Sequence, residues 1–394
     1  TMTFTYPTPT TIDVFYTNAE GSLVTPEKLP FGKGYSIVEV QAPYGYVLDE
    51  TPVYFDVTED NSTEESGVTV VKVDKPNMAQ KGTITVEKTG EVFFGVSVIG
   101  GVDESGNELP AIYQPQYEKR GLPGAVYEII AAEDIITPDG TVRNQKGNVV
   151  DTVTTDENGT AVSRELYLGK YEVREITAPH GMVLNPEPHC VELVYAGQNV
   201  AVTETATSFE NERQKVEISL VKSIEQNERF GIGTNGEMKN ISFGLFAAEE
   251  IVSASGTSIP ANGLVEIISL NEDGTAKIKT DLPFGSYYVQ ELATDSHYKL
   301  SDTKYPVTFG YASQDTAVVK IAVNGGNAVE NKLIYGSVSG KKIDENGDSL
   351  GGALIGLFRT DDGEFTKENA LMTTASAEDG SFSFESIPYG TWYV

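Results

Sequence analysis

The sequence predicts an all-β protein that consists of tandem β-sandwich domains arranged end to end. One observation is the alternation of apolar and polar residues in short segments such as Val216–Lys222, which is the pattern of a half-buried strand. A second is that two motifs recur at intervals as long as a domain, which excludes a short solenoid repeat. A third is the density of turn dipeptides that favour hairpins: Asp139-Gly140, Asn158-Gly159, Asp273-Gly274, Asn346-Gly347 and Asp379-Gly380.

The two recurring motifs are strands that end in a charged residue. The first motif ends in lysine and occurs at Gly82–Lys88, Val216–Lys222 and Gly336–Lys342. An asparagine lies eleven residues before each of these lysines, at Asn77, Asn211 and Asn331. The second motif ends in glutamate and occurs at Leu166–Glu175 and Leu282–Glu291, with partial copies at Leu29–Glu39 and Ile387–Val394.

These spacings divide the chain into four units. Residues 82–214 and 215–334 are predicted to form two complete units. Residues 1–81 are read as the C-terminal part of a first partial unit, and residues 335–394 as the N-terminal part of a last one. The first complete unit contains an insert near 93–120. No signal peptide is visible, and the sequence ends within a strand pattern, so we expect a piece of a longer protein.

Composition excludes several classes of function. The 394 residues carry 58 acidic and 28 basic side chains, a net charge of −30, which argues against binding nucleic acid or docking on anionic lipid. A single cysteine, Cys190, excludes a disulfide within the chain and a thiolate cluster, and three histidines leave little for a zinc site. No nucleophile elbow or P-loop occurs. We therefore expect no metal, no cofactor, no membrane contact within this fragment, and no enzymatic turnover of other substrates.

A lysine, a glutamate and an asparagine of each complete unit are predicted to point into the core. Lys88 shares its strand face with apolar Ile84 and Val86, because side chains of a strand alternate between its two faces. The same reasoning applies to five further residues: Glu175, Asn211, Lys222, Glu291 and Asn331.

Such a group of polar side chains has a defined chemistry when it is buried. Burial lowers the pKa of a lysine and raises that of a carboxyl group, which leaves a nucleophilic neutral amine beside a carboxylic acid. The acid can polarise an asparagine carbonyl and shuttle protons, and fixed geometry raises the rate further. The predicted product is an amide between Lys Nζ and Asn Cγ, with loss of ammonia. A buried ion pair is the alternative for any single unit, but recurrence of the three residue types favours the cross-link.

The motifs resemble the Cna-B, or SpaA-type, prealbumin-like domains of Gram-positive surface adhesins and pilins. The resemblance rests on the glycine-led strand at Gly82–Lys88, on Gly124–Tyr127, and on a glutamate that runs into Ala-Pro-x-Gly at Glu39–Tyr46 and Glu175–Met182. The second complete unit departs from the pattern. Val216 replaces its first glycine, and the segment after Glu291 lacks Ala-Pro-x-Gly.

The resemblance implies Ig-like or prealbumin-like sandwiches with a lysine on the first strand, an asparagine or aspartate on the last, and a catalytic glutamate between them. In the complete units these residues are Lys88, Glu175 and Asn211, and Lys222, Glu291 and Asn331. Lys342 begins the last partial unit. Glu39 belongs to the first partial unit, whose acceptor is either Asn77 or Asp74.

The family further implies the structural stalk of a cell-surface adhesin or pilin, extracellular and attached to the cell wall, with its anchor and signal peptide outside this fragment. Other pilin subunits are the expected partners. The alternative function is a ligand-binding adhesin module for a host matrix protein or glycan. Residues 93–120 are the candidate insert for that role, although we favour a plain surface loop there. Two acidic segments, Asp103–Asn107 and Asp344–Asp348, resemble partial calcium loops, but solvated hairpin turns are the favoured interpretation.

Overall fold

The computed structural model describes residues 11–59, 70–102 and 108–394. The prediction of an all-β chain of repeated sandwich domains is confirmed, because the described residues are organised almost entirely in strands. The described part of the chain also holds two short 3-10 helices, Glu237–Asn240 and Val323–Gly326. Among the described residues, no helix has the length and apolar character needed to cross a membrane.

The first partial unit contributes two short antiparallel pairs, β1 with β3 and β2 with β4. Its strands are β1 (Gly32–Ile37), β2 (Tyr46–Val47), β3 (Val53–Val57) and β4 (Met78–Ala79).

The first complete unit is a sandwich of two sheets. Its strands are β5 (Lys81–Val102), β6 (Glu108–Gly121), β7 (Val126–Ala131), β8 (Ile135–Ile136), β9 (Val142–Asn144), β10 (Val149–Thr154), β11 (Thr160–Val162), β12 (Leu166–Tyr167), β13 (Gly169–Thr177), β14 (His189–Leu193) and β15 (Val202–Asn211). One sheet has the order β10-β7-β13-β14, and in the other β5 pairs with β11 and β12 antiparallel and with β15 parallel. Between them lies a core in which Tyr127, Tyr171 and Ile84 are fully buried. Apolar inward faces of both sheets therefore supply the main driving force of this unit.

The second complete unit repeats this arrangement. Its strands are β16 (Lys215–Ile224), β17 (Ser242–Ala247), β18 (Ile251–Val252), β19 (Ser258–Ile259), β20 (Leu264–Ser269), β21 (Thr275–Lys277), β22 (Gly285–Ala293), β23 (Tyr305–Phe309), β24 (Val318–Ala322) and β25 (Val329–Asn331). The strand order β20-β17-β22-β23 faces a sheet in which β16 pairs with β21 antiparallel and with β24 and β25 parallel. The core between the sheets is centred on Phe243, Tyr287 and Phe309.

The last partial unit has two small sheets, β26-β29 and β28-β27-β30. Its strands are β26 (Tyr335–Lys341), β27 (Leu354–Arg359), β28 (Met372–Ala375), β29 (Ser381–Pro388) and β30 (Trp392–Tyr393). Their core residues Leu357 and Phe384 pack in one cluster with Phe230 and Ile232 of the second complete unit.

The insert near 93–120 is a β-hairpin, so its interpretation as a surface loop is wrong. Strand β5 continues beyond the sandwich and pairs antiparallel with β6 as far as the contact of Val102 with Glu108. The segment is rich in aromatic and β-branched residues, which favour extended backbone. β6 pairs in turn with β20, so that one nine-stranded sheet runs through both complete units. The proposed acidic loop Asp103–Asn107 lies outside the described residues.

A buried glutamine closes each of the first two joints between units. Gln80 is 1% exposed, and its side-chain amide donates to two backbone carbonyls and accepts one backbone N–H of the next unit: Gly197, Val200 and Ala196. Gln214 is fully buried and makes the corresponding bonds to Ser313, Thr316 and Ala312. Both glutamines lie eight residues before the lysine of their unit.

A second glutamine binds in the opposite direction at the same two joints. The side chain of Gln198 accepts the backbone N–H of Ala42 at 2.8 Å, and that of Gln314 accepts the backbone N–H of Ala178 at 2.9 Å. Both alanines are the first residues of an Ala-Pro-x-Gly motif. This motif therefore holds the next unit in place, a role that the sequence alone did not reveal.

Candidate cross-linking sites

The backbone of each motif lysine is fixed by a turn glycine. The N–H of Lys88 donates to the carbonyl of Gly159 at 2.7 Å, and Gly159 has a positive φ of 79°. A Cβ at this glycine would collide with the carbonyl oxygen of Lys88, so no larger residue fits. The same contacts recur between the lysine and the turn glycine in the later units: Lys222 with Gly274, and Lys342 with Gly380.

The lysine and the asparagine of each complete unit lie on neighbouring parallel strands. On β5 and β15, Lys88 stands opposite Phe209, so Asn211 is two residues further along on the same face. The register of β16 and β25 is identical, with Lys222 opposite Val329 and the asparagine two residues later. The first and last strands of each sandwich therefore bring these two side chains together.

The glutamate comes from the facing sheet. Glu175 lies on β13 opposite Tyr127 of β7, and Glu291 lies on β22 opposite Phe243 of β17. The sandwich thus places the carboxylate across the core from the lysine and the asparagine.

In the first complete unit the three side chains are in direct contact. Nζ of Lys88 lies 2.8 Å from Oε1 of Glu175 and is hydrogen-bonded to Oδ1 of Asn211. Nδ2 of Asn211 lies 3.1 Å from both carboxylate oxygens. The side chains of the lysine and the glutamate are completely buried. One carboxylate therefore contacts both the amine and the amide nitrogen.

The second complete unit brings the same three residues together more loosely. Nζ of Lys222 lies 3.5 Å from Oε1 of Glu291, and Nδ2 of Asn331 donates to that oxygen at 2.8 Å. Nδ2 also donates to the hydroxyl of Thr294 at 2.9 Å. Within the described part of the chain, Nζ of Lys222 and Oδ1 of Asn331 have no hydrogen-bond partner.

The first partial unit has the glutamate and one of the two candidate acceptors in contact. Nδ2 of Asn77 donates to Oε2 of Glu39 at 2.7 Å. Asp74 instead lies at the surface, 3.8 Å from Lys72, with both side chains 83% exposed. The geometry therefore favours Asn77 over Asp74. Lys342 of the last partial unit is exposed.

A backbone amide orients all three glutamates, and sequence analysis did not identify it. The residue ten positions after each glutamate donates its N–H to Oε2 at about 3 Å: Asp49 to Glu39, Asn185 to Glu175 and Ser301 to Glu291. The only signal in the sequence was the equal length of the three segments that follow the glutamates. The bond persists at Glu291, although that segment has lost Ala-Pro-x-Gly.

Burial changes the proton affinity of the two buried lysines. Removal from water lowers the pKa of Lys88 and of Lys222, and the neighbouring glutamates offset part of this effect. Burial and the charge of Glu175 raise the pKa of Tyr127, so its phenol stays protonated. Each buried site therefore favours the neutral form of its lysine amine more than bulk water does.

The described residues contain no group of three or more histidine, cysteine or acidic side chains that could hold a metal ion. The carboxylate of Asp344 accepts the backbone N–H groups of Asn346 and Asp348, which is the geometry of a hairpin turn. Cys190 is a free, exposed thiol.

One protein family accounts for most of the chain. The family model of the SpaA prealbumin-like fold domain matches four regions, residues 2–72, 114–207, 224–325 and 336–394. The match leaves out residues 73–113, 208–223 and 326–335, and these stretches contain Lys88, Asn211, Lys222 and Asn331.

A curated relative and several solved structures are similar over parts of the chain. The trypsin-resistant surface T6 protein of Streptococcus pyogenes serotype M6 is 26% identical over 147 residues, which are 36% of this chain and 26% of that relative. This chain thus spans about a quarter of the relative's length. The Bacillus anthracis TIE protein is 19% identical over 80% of this chain and 45% of its own, with a TM-score of 0.50. BcpA, the major pilin subunit of Bacillus cereus, is 15% identical over 79% of this chain and 87% of its own, with a TM-score of 0.29.

Proposed function

Because the chain belongs to the family of SpaA-type prealbumin-like fold domains, we propose that it is part of the structural stalk of a bacterial cell-surface pilin or adhesin. Each complete unit is stiffened by an isopeptide bond that its own side chains form. The observation that carries this proposal is the meeting of a lysine, a glutamate and an asparagine inside both sandwiches. Cell-wall attachment and association with other pilin subunits are part of the same proposal.

The reaction in the first complete unit can be written with its atoms balanced. The neutral amine of Lys88 attacks Cγ of Asn211, and the bond between Cγ and Nδ2 breaks. A proton passes from Nζ to Nδ2 through Glu175, which contacts both nitrogens. Ammonia leaves and a secondary amide remains. The carboxylate faces the leaving nitrogen, so the geometry supports the proton-shuttle role more than polarisation of the carbonyl.

The reaction occurs once per unit, so the protein is its own substrate and does not turn over. No observation on the described residues favours the alternative of a host-ligand module at 93–120, because the inner part of that hairpin contacts the second complete unit.

The second complete unit is expected to form its bond more slowly than the first. Its amine is further from the carboxylate, and its asparagine carbonyl lacks a donor. One hydrogen bond contributes about 1 kcal/mol, which corresponds to roughly a fivefold difference in rate. The Glu175→Ala variant isolates the second site and Glu291→Ala isolates the first, so the intact mass of freshly made protein can be followed over time for each. Equal half-times would show that these contacts do not limit the reaction.

A variant that cannot form the first bond is expected to gain stability as the pH rises. Asn211→Ala leaves Lys88 as a free buried amine with a lowered pKa. Between that pKa and the ordinary value of 10.5, the unfolded state binds more protons, so the free energy of unfolding increases with pH. In the wild type Nζ is part of an amide and does not titrate, so its free energy of unfolding lacks this dependence on pH. Denaturant unfolding between pH 7 and 9.5 measures the difference.

The matched control for this experiment is the double variant Lys88→Met/Asn211→Ala, which also lacks the bond but has no titrating amine at this position. Its pH dependence should equal that of the wild type. If the single and double variants have the same slope, Lys88 does not titrate in this range.

A further inference from the structure

We propose that the part of the β5–β6 hairpin outside the first sandwich, residues 91–102 and 108–119, is a brace that docks on the second complete unit and joins the two complete units into one rigid body. The partner of this surface is thus the neighbouring domain of the same chain. The inference does not depend on the cross-links.

Backbone hydrogen bonds attach the first arm of the brace. The N–H of Ala254 donates to the carbonyl of Phe93 at 3.0 Å, and the N–H of Ser255 donates to that of Phe94 at 2.9 Å. The N–H of Val96 donates to the hydroxyl of Thr257 at 3.0 Å. These bonds hold the arm on the turn between β18 and β19.

The second arm extends the sheet of the neighbouring unit. Ile112 of β6 pairs with Leu264 of β20, and the side chain of Gln114 donates to the carbonyl of Val265 at 3.0 Å. The hydroxyl of Tyr117 donates to the carbonyl of Asp281 at 3.2 Å. Main-chain and side-chain bonds therefore attach both arms.

Apolar side chains of both arms complete the core of the second complete unit. Phe93, Val96 and Tyr113 are half-buried and pack against its cluster of buried residues. The face of the hairpin that carries these side chains is therefore covered and is not free to bind another partner. Burial of this apolar area stabilises the docked interface in addition to the hydrogen bonds.

Arg213 connects the brace to the segment between the two units. Its guanidinium group lies 3.8 Å from the ring centroid of Tyr117 and pairs with the carboxylate of Asp281. The side chain is only 6% exposed. One buried cation thus joins the inter-unit segment, the hairpin and the second unit, and the low exposure strengthens both contacts.

Besides the brace, the joint between the complete units therefore has the contacts of Gln214 and the bond between Gln314 and Ala178. The joint before it has the equivalent contacts of Gln80, and the described residues of the first partial unit form no hairpin that reaches across it. Domains joined by small polar interfaces move relative to each other by default. We therefore attribute the rigidity of the joint between the two complete units to the brace.

The test measures a distance between the two units. Cys190 is the native thiol, exposed on the first complete unit, and Thr308→Cys adds an exposed thiol on the second. Spin labels on both give a distance distribution by pulsed electron resonance. In a brace-deleted chain, residues 92–118 are replaced by Asn-Gly, which closes the remaining pair of Glu91 and Lys119 with a two-residue turn. We expect the distribution to be narrow in the intact chain and about twofold broader or more after deletion.

Two further variants separate the brace from its alternatives. Gln214→Ala removes the side-chain contacts of Gln214, and it should broaden the distance distribution less than the deletion does. Gln116→Ala changes an exposed residue of the same hairpin and should leave the distribution unchanged. If the deleted chain does not fold, Phe93→Ser/Tyr113→Ser provides the same test with the hairpin retained. A distribution that stays narrow in a folded brace variant, or that is broad in the intact chain, would overturn the proposal.

Discussion

The folded chain is expected to weigh less than its sequence mass by one ammonia for each complete unit. The lysine, glutamate and asparagine of each unit are buried together, and amide formation removes one ammonia per bond. Glu175→Ala and Glu291→Ala should each restore the mass of one ammonia, and the double variant should restore both. Intact mass spectrometry under denaturing conditions measures this directly, because a covalent bond survives unfolding whereas an ion pair does not.

The same variants are expected to lose stability. The loop between Lys88 and Asn211 spans 123 residues, and closing a loop of this size by a covalent bond stabilises a fold by about 4–5 kcal/mol by analogy with disulfides. Glu175→Ala also leaves a buried amine without its carboxylate, which costs about 3–5 kcal/mol if the amine stays charged. A fall in Tm on the order of 10 °C or more is therefore expected for the first complete unit.

Glu172→Ala is the matched control, since Glu172 lies on the same strand but on its outer face, where it pairs with Arg174. Its mass deficit and its Tm should match those of the wild type. A wild-type mass equal to the sequence mass would mean that the buried groups are ordinary ion pairs, and the proposed stalk would lose its cross-links.

The direction of the reactive side chains could be predicted from sequence, but their contacts could not. Alternation on a single strand is a local property, so it placed Lys88 on the face of Val86 without any knowledge of the partner strand. The pairing of β5 with β15 joins segments more than a hundred residues apart. Register across such a pair depends on the whole sandwich, so only the repetition of the motifs indicated that the three residues meet.

The β5–β6 hairpin could not be predicted from the sequence of one unit alone. Its strands carry the β-branched and aromatic residues of a buried surface, yet the segment lies between the first strand and Gly121 and so looks like an insert. The surface that buries Phe93 and Tyr113 belongs to the following unit. The sequence of the first complete unit therefore predicted a surface loop, because the strand that pairs with this hairpin lies in the second complete unit.

The Ala-Pro-x-Gly motif has a structural role that the sequence did not reveal. The segment after Glu291 lacks Ala-Pro-x-Gly, yet this glutamate keeps its bond to the backbone of Ser301. What the motif supplies at Ala42 and Ala178 is an N–H for the next unit. At the third joint, Ile334 stands in the position of Gln80 and Gln214, and its backbone N–H donates to the carbonyl of His297 within the same unit. The Ala-Pro-x-Gly motif therefore indicates a contact between consecutive units more than it indicates a cross-linking site.

Loss of the first cross-link is expected to change how the chain responds to force. Tension enters the first complete unit at the start of β5 and leaves it after Asn211, and the predicted bond connects these strands near the exit point. With the bond, the residues between Lys88 and Asn211 carry no load. In Asn211→Ala the load passes through the parallel ladder of β5 and β15 in shear. Once that ladder breaks, 123 residues are released, which lengthens the chain by about 400 Å.

Single-molecule pulling of the full chain measures this step as a new unfolding event in Asn211→Ala that the wild type lacks. Glu175→Ala should show the same event, because it blocks bond formation while leaving both reacting side chains in place, and Glu172→Ala should not. Both Asn211→Ala and Glu175→Ala lack the bond, but each lacks a different buried side chain. If the two variants show the same step length, the unfolding event results from loss of the bond and not from loss of one side chain. A wild type that extends by the same step as Asn211→Ala would show that load reaches the interior of the sandwich, and the ladder of hydrogen bonds would then be its only mechanical support.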